Sequence, residues 1–94
     1  MIVDIKKFGT ILISRQLGRE ALAAFSSDFK DLKDDVIIDF DGLDVLSPSW
    51  ADEFITPLHK KFEKKLIIKK SDNSSVRETL SLLENVNNIK FNFK

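Results

Sequence analysis

The sequence predicts a single α/β domain over residues 1–94 with the element order β-β-α-β-α-β-α-β. Three observations predict it. Val36-Ile37-Ile38 and Leu66-Ile67-Ile68 are short apolar runs rich in β-branched residues, the composition that suits strands. Three longer stretches repeat apolar residues at three- and four-residue steps, the period of a helix packed on one face. The two kinds of stretch alternate along the chain, which argues for an α/β layer with parallel crossovers.

Taken in order, Val3 and Ile5 alternate with Asp4 and Lys6 as a first strand. Gly9-Thr10 turns the chain into a second strand, Ile11-Leu12-Ile13, expected to form a hairpin with the first. Ser14 caps a helix whose apolar stripe is Leu17, Ala21, Phe25, Phe29 and Leu32, and which runs to about Lys33. Asp34-Asp35 separates it from the third strand, Val36–Phe40, apolar on both faces and so expected at the centre of the sheet, covered on both sides. Asp41-Gly42 makes a turn, and the apolar pair Val45-Leu46 leads into Ser47-Pro48-Ser49. That triplet is a helix-start signal: a hydroxyl cap, a proline at the first helical position and acids in the first turn.

The central helix begins near Ser49. Trp50, Phe54, Leu58 and Phe62 follow one another at four-residue steps, with Ala51 and Ile55 beside them, giving a broad apolar face. Pro57 removes a backbone donor within it and predicts a kink or break near Thr56. Leu66–Ile68 is the fourth strand. Ser75-Val76-Arg77-Glu78 has capping-box spacing, and Val76, Leu80, Leu83 and Val86 form the stripe of a third helix ended by Asn85, Asn87 and Asn88. Ile89, Phe91 and Phe93 alternate with polar residues as a final, half-exposed strand.

Composition excludes several function classes. Fifteen basic and fifteen acidic residues cancel, so net charge gives no argument for a nucleic-acid partner. The chain has no cysteine, which rules out disulfides and thiolate chemistry. With one histidine, His59, and no cysteine, a transition-metal site and a Ser-His triad both lack their ligands or partners. No apolar run approaches the ~20 residues of a membrane span, and Met1-Ile2-Val3-Asp4 does not begin a secretory signal, so the expected location is the cytoplasm, with no membrane partner. Charge is nonetheless segregated: seven Asp and two Lys between Asp28 and Asp44 leave −5, and six Lys and one Glu between Lys60 and Lys70 leave +5. Such runs are solvated faces or a polar docking surface.

Val36–Phe54 carries two family resemblances. Asp39-Phe40-Asp41-Gly42-Leu43 after an apolar strand resembles the haloacid-dehalogenase phosphohydrolase motif. That likeness implies Asp39 as nucleophile toward phosphate, Asp41 as acid/base and Mg²⁺ to neutralise the charge. The family also needs a later Ser or Thr, a Lys and an acidic pair on a further strand. The one adjacent acidic pair after Leu46, Asp52-Glu53, opens a helix instead. Asp41-Gly42 as a plain turn accounts for the same residues.

The second resemblance covers roughly Ile5 to Leu83. The apolar strand, the turn Asp39-Phe40-Asp41-Gly42-Leu43, the helix start Ser47-Pro48-Ser49-Trp50-Ala51-Asp52-Glu53 and the earlier Ser14-Arg15-Gln16-Leu17-Gly18-Arg19 resemble the STAS-like domains related to anti-sigma-factor antagonists. The likeness implies a mixed sheet with helices mainly on one face. It also implies a non-catalytic regulatory protein–protein interaction module, without cofactor or metal, whose partner is a histidine-kinase-like ATPase acting as anti-sigma factor or switch kinase. In that family a serine at the start of the central helix is phosphorylated by the partner. The matching position is Ser49; Pro48 replaces a neighbouring serine and Trp50-Ala51-Asp52 replaces a glycine-rich start. A small phosphohydrolase using Asp39 and Asp41 is one alternative. Another is a structural subunit or homo-oligomer in which the Phe91/Phe93 strand pairs across chains.

The candidate surface is the tip made by Leu46–Glu53 and the start of the first helix. Ser47 and Ser49 are helix caps in one reading, and in the other Ser49 is a phosphoacceptor at a helix N-terminus, with Asp52 and Glu53 one turn away opposing the incoming charge. Arg15 and Arg19 share a helix face at its positive end, with Gly18 between them. Three locally poor choices together point to a constraint from elsewhere: an anion or partner carboxylate held by the two guanidinium groups, or salt bridges to Glu20 or the Asp-rich segment. Trp50 is either a core residue or a contact anchor on the tip.

Overall fold

The computed structural model describes residues 1–94. Its elements are β1 (Ile2–Asp4), a 3-10 turn (Ile5–Phe8), β2 (Ile11–Leu12), α1 (Arg15–Phe29), β3 (Val36–Asp39), β4 (Val45–Leu46), α2 (Pro48–Phe62), a second 3-10 turn (Glu63–Lys65), β5 (Leu66–Ile68), α3 (Ser74–Asn87) and β6 (Asn92–Phe93). This is an α/β fold with three helices, as expected. β1, β3, β5 and β6 form one sheet in the order β1-β3-β5-β6, while β2 and β4 form a separate two-stranded sheet.

Val36–Phe40 supplies an interior strand, as its composition requires. The pairings differ from expectation in one respect. All are parallel, and the first two strands do not form the antiparallel hairpin that would make the sheet mixed. The 3-10 turn at Ile5–Phe8 and Gly9, at φ 127°, carry the chain away from β1. Ile11 and Leu12 therefore align beside Val45 and Leu46, a pair too short to declare itself as a strand from sequence.

The register sorts the sheet into two faces. Val3, Val36, Ile38, Leu66 and Ile68 belong to the core cluster, whereas Ile2, Ile37 and Ile67 are on the other face, Ile2 exposed, Ile37 half-buried and Ile67 buried. The helices therefore cover one face, and β3 is not sandwiched as its double-sided apolar run suggested. Aromatic rings fill the space between α1 and α2. Trp50 stacks on Phe54 with centroids 5.0 Å apart, and Phe8 meets Phe25 at 5.2 Å and Phe54 at 5.1 Å edge to face. Such pairs add about 0.5–1.5 kcal/mol each beyond area burial.

The helices keep their predicted starts better than their ends. Ser14 caps α1 through Leu17 N–H, but the helix stops at Phe29 rather than Lys33. Phe29 is the last fully buried residue of the stripe, and the chain then tightens through Lys30 N–H to Ser27 C=O and Leu32 N–H to Phe29 C=O, which still brings Leu32 against the core. α2 runs unbroken through Pro57, because Phe54, Ile55, Thr56 and Leu58 around it are all buried and their packing outweighs one missing backbone donor. α3 is capped by Asn73, not Ser75: Asn73 Oδ1 accepts from Val76 N–H while its amide donates to the carbonyls of Leu43 and Asp44. Ser75 instead ties α3 to β4 by accepting from Leu46 N–H, and Thr79 donates to Leu46 C=O. β6 is shorter than the predicted final strand, with Phe91 packed into the core before it begins.

Candidate functional site

Three chain segments converge at the tip: the end of β2, the start of α1 and the start of α2. Ser47 fastens them. Its Oγ accepts from Trp50 N–H at 3.2 Å, closing the N-terminus of α2, and donates to Ile13 C=O at 2.9 Å. That hydroxyl is spent on the fold. Ser14 does the equivalent for α1, its Oγ accepting from Leu17 N–H at 3.2 Å. Ser49, partly buried in the first turn of α2, is not the cap, and its hydroxyl makes no hydrogen bond within the chain.

Arg15 and Arg19 meet the acids of α2. One Arg15 nitrogen donates to Asp52 Oδ2 at 3.1 Å and to Glu53 Oε1 at 3.2 Å; Arg19 reaches the same Glu53 oxygen at 3.3 Å. Asp52 Oδ1 accepts from the buried Thr56 hydroxyl at 3.0 Å, so both of its oxygens are engaged. Hydrogen bonds from Arg15 and then Arg19 hold the Glu53 carboxyl below its ordinary range, and those to Asp52 and Glu53 keep the Arg15 guanidinium firmly charged. The expected partners, Glu20 and the Asp-rich segment, are not the ones used. The four charges cancel, so the opposition of Asp52 and Glu53 to charge on Ser49 is balanced by the two cations.

Gly18 explains the close approach. It is buried between the two arginines, and a Cβ there would lie 2.6 Å from Trp50 O. The helices cross so tightly that only a hydrogen fits. Trp50 itself is 1 % exposed, which removes it as a contact anchor on the tip.

The sequence reading missed the apolar part of this surface. Ile11, Ile13, Leu17 and Val45 are 60 %, 58 %, 59 % and 39 % exposed. Ile11 pairs with Val45 in the two-stranded sheet, while the alternate residues Leu12 and Leu46 are buried. The four-residue spacing predicts Leu17 in the core stripe of α1; Gly18 takes the inward position instead. The alternation of Ile11, Leu12 and Ile13 was the available signal, since period two exposes the odd residues.

The other candidate, Asp39 with Asp41, sits at the carboxyl ends of β3 and β5 beside a shallow cavity of about 350 Å³ that Lys69 and Asp72 also line. The two acids do not share a strand face, because β3 ends at Asp39. Asp39 Oδ1 accepts from Asp41 N–H at 2.9 Å and Oδ2 pairs with Lys69 at 3.4 Å. The Asp41 N–H first, then Lys69, hold the Asp39 carboxyl below its ordinary range. This is a side chain closing its own turn.

No helix is long and apolar enough to cross a membrane. Neither the curated proteins nor the solved structures hold a match to this chain. A family model does match, described as a STAS-like domain of unknown function (DUF4325), over residues 21–76. The matched segment runs from α1 to the start of α3 and includes Ser47, Ser49, Asp52 and Glu53, while Ser14, Arg15 and Arg19 precede it. Since it spans more than half of the 94 residues, the chain belongs to this STAS-like family.

Proposed function

We propose that this protein is a non-catalytic regulatory module that binds a protein partner through the tip, and that phosphorylation of Ser49 controls the contact. The observation that carries the reading is the group of large aliphatic side chains, Ile11, Ile13, Leu17 and Val45, left in water on segments that meet at the tip. Folding gains nothing from exposing them, and apolar patches of this kind mark protein contact surfaces. Ser49 supports the switch: its hydroxyl is not engaged in the fold, and it lies in the first turn of a helix, where backbone donors and the helix dipole favour an anion. The partner implied by the STAS resemblance is a histidine-kinase-like ATPase of the anti-sigma-factor type, in the cytoplasm. Membership of a generally non-catalytic family and the engagement of both Asp39 oxygens weigh against the phosphohydrolase reading.

The test is titration calorimetry with a histidine-kinase-like ATPase of the anti-sigma-factor type, plus mass spectrometry after incubation with ATP. Ile13→Asp should abolish binding, and Ser49→Asp should weaken it at least tenfold while Ser49→Ala binds as the parent does. Phosphate should appear on Ser49 and be absent in Ser49→Ala. Equal binding by the two Ser49 variants, with no phosphate transferred, would remove the switch. Unchanged binding by Ile13→Asp would remove the surface.

A further inference from the structure

The uncovered face of the four-stranded sheet has a charge pattern that matches itself in reverse. Ile2, Ile37, Ile67 and Asn92 are register partners and form one row across the four strands, on the face away from the helices. Ile2 is 63 % exposed at the edge, while Ile37 is half-buried and Ile67 is 9 % exposed. Two residues further along each strand lies a charged row. Asp4 pairs with Asp39, and Lys69 and Lys94 continue the row, their N–H groups donating to Ile38 C=O and Ile68 C=O. Across β1, β3, β5 and β6 the row therefore reads acid, acid, base, base.

We propose that this face docks onto a second copy of the chain through a two-fold axis parallel to the strands, between β3 and β5. That axis keeps each row in place and reverses the strand order. Ile37 then faces Ile67 of the other copy, Asp4 faces Lys94, and Asp39 and Lys69, already paired within each chain at 3.4 Å, face Lys69 and Asp39 of the other copy as one four-charge cluster, each contact occurring twice, as an isologous interface demands. An axis across the strands is disfavoured by the same charges. It brings the row before the isoleucines, where alternation places Asp35, against Asp39, acid over acid. The surface therefore selects one arrangement by electrostatic complementarity. With strands about 4.8 Å apart the face is roughly 19 Å wide, at the small end of specific interfaces, so the dimer is a weak, exchanging one. It leaves the tip free, because α1, α2 and the two-stranded sheet lie on the other side.

Sedimentation velocity up to about 1 mM protein tests this. The parent chain should self-associate, and the association should weaken as salt rises from about 0.05 to 0.5 M. Two variants divide the charge: Asp4→Lys/Asp39→Asn, in which Asn still accepts from Asp41 N–H, and Lys69→Glu/Lys94→Glu. Each alone should be at least tenfold weaker as a dimer, and an equimolar mixture, which restores three of the four ion pairs, should form a heterodimer tighter than either homodimer. Ile2→Asp, at an exposed edge position where folding is not at stake, should also weaken the dimer. A parent chain monomeric throughout the range, association indifferent to salt and to all three variants, or two folded variants that do not associate on mixing would each overturn the proposal.

Discussion

Gly18→Ala sets two well-characterised effects against each other. In an exposed helix interior the change is favourable by about 1 kcal/mol, because alanine restricts the unfolded chain and favours helical backbone. Here the added Cβ would lie 2.6 Å from Trp50 O, 3.1 Å from its Cα and 3.2 Å from its carbonyl carbon. Ordinary contact begins at 3.4 Å, so the closest pair is 0.8 Å too near. All three opposing atoms are backbone, and no side-chain rotation relieves them. α1 and α2 must separate, which loosens the Trp50–Phe54–Phe8 stack and lengthens the bonds from Arg15 to Asp52 and Glu53. Overpacking of this kind costs roughly 1–3 kcal/mol, and a rigid backbone clash lies at the upper end. The net expectation is a loss of about 1–2 kcal/mol, or a Tm lower by roughly 5–15 °C for a domain of this size. Thermal melts followed by circular dichroism and by the fluorescence of the single tryptophan measure it. A Tm equal to or above the parent would mean that helix propensity wins and that the helices are not in close contact at this point.

Ser47→Ala removes the α2 cap and the tie to Ile13 C=O together and should lower stability by about 1–2 kcal/mol in urea unfolding, whereas Ser49→Ala should be close to neutral. Glu63 holds φ 52° and ψ −119°, a backbone region that favours glycine, so Glu63→Gly should raise Tm by roughly 4–8 °C, corresponding to about 1 kcal/mol of relieved strain; Asn88, at φ 54°, is a residue type that tolerates its conformation and offers no such gain. The Asp39 carboxyl titrates below its unfolded value of about 3.9, so its contribution to stability is complete above that pH and is lost as pH falls through the lower native value. Urea midpoints for the parent and Asp39→Ala should therefore differ most above about pH 5 and converge toward about pH 2; a constant gap would contradict the assignment.

What the sequence revealed and what it hid divide along the range of the interactions. Strand β3, the caps at Ser14 and Ser47, the inward face of α2 and that of α3 as far as Leu83 are local patterns, set by period and by residues a turn apart; Val86, expected to continue the α3 stripe, is 71 % exposed instead, past the last turn of α3 that meets the core. The β2–β4 sheet escaped because its two strands, separated by 32 residues from Leu12 to Val45, are two residues long and are held by distant groups, among them the Thr10 and Leu12 carbonyls and Ser75 and Thr79 from α3. Gly18 and the two arginines were recognised as unfavourable local choices, and the constraint they implied is real. Its identity, the start of α2, lies some 34 residues away and could not be read from either segment alone. Leu17 was misplaced for the same reason: Ala21, Phe25, Phe29 and Leu32 of its stripe do pack against the core, but at the first turn the contact with α2 is made by Gly18.

The tip's electrostatics change how a charge on Ser49 would act. Ser49, Asp52 and Glu53 are three and four residues apart and so share a face of α2. Read from sequence, the two acids simply repel a phosphate. In the fold each is already bound to an arginine from α1, and Arg15 divides one nitrogen between both carboxylates at 3.1 and 3.2 Å. A phosphate carrying about −1.5 to −2 charges is a stronger acceptor than either carboxylate. It would compete for Arg15 and Arg19 rather than meet uncompensated acids, and any arginine it drew away would leave Asp52 or Glu53 unpaired at the junction of α1 and α2. A charge added at the partly buried Ser49 would thereby be coupled to the packing of two helices. The coupling has a direct readout: in an Arg15→Gln/Arg19→Gln variant, Ser49→Asp should reduce stability more than it does in the parent, because the charge then faces the acids alone. Equal effects in the two backgrounds, compared by a double-mutant cycle, would show that Ser49 and the arginine pair act independently.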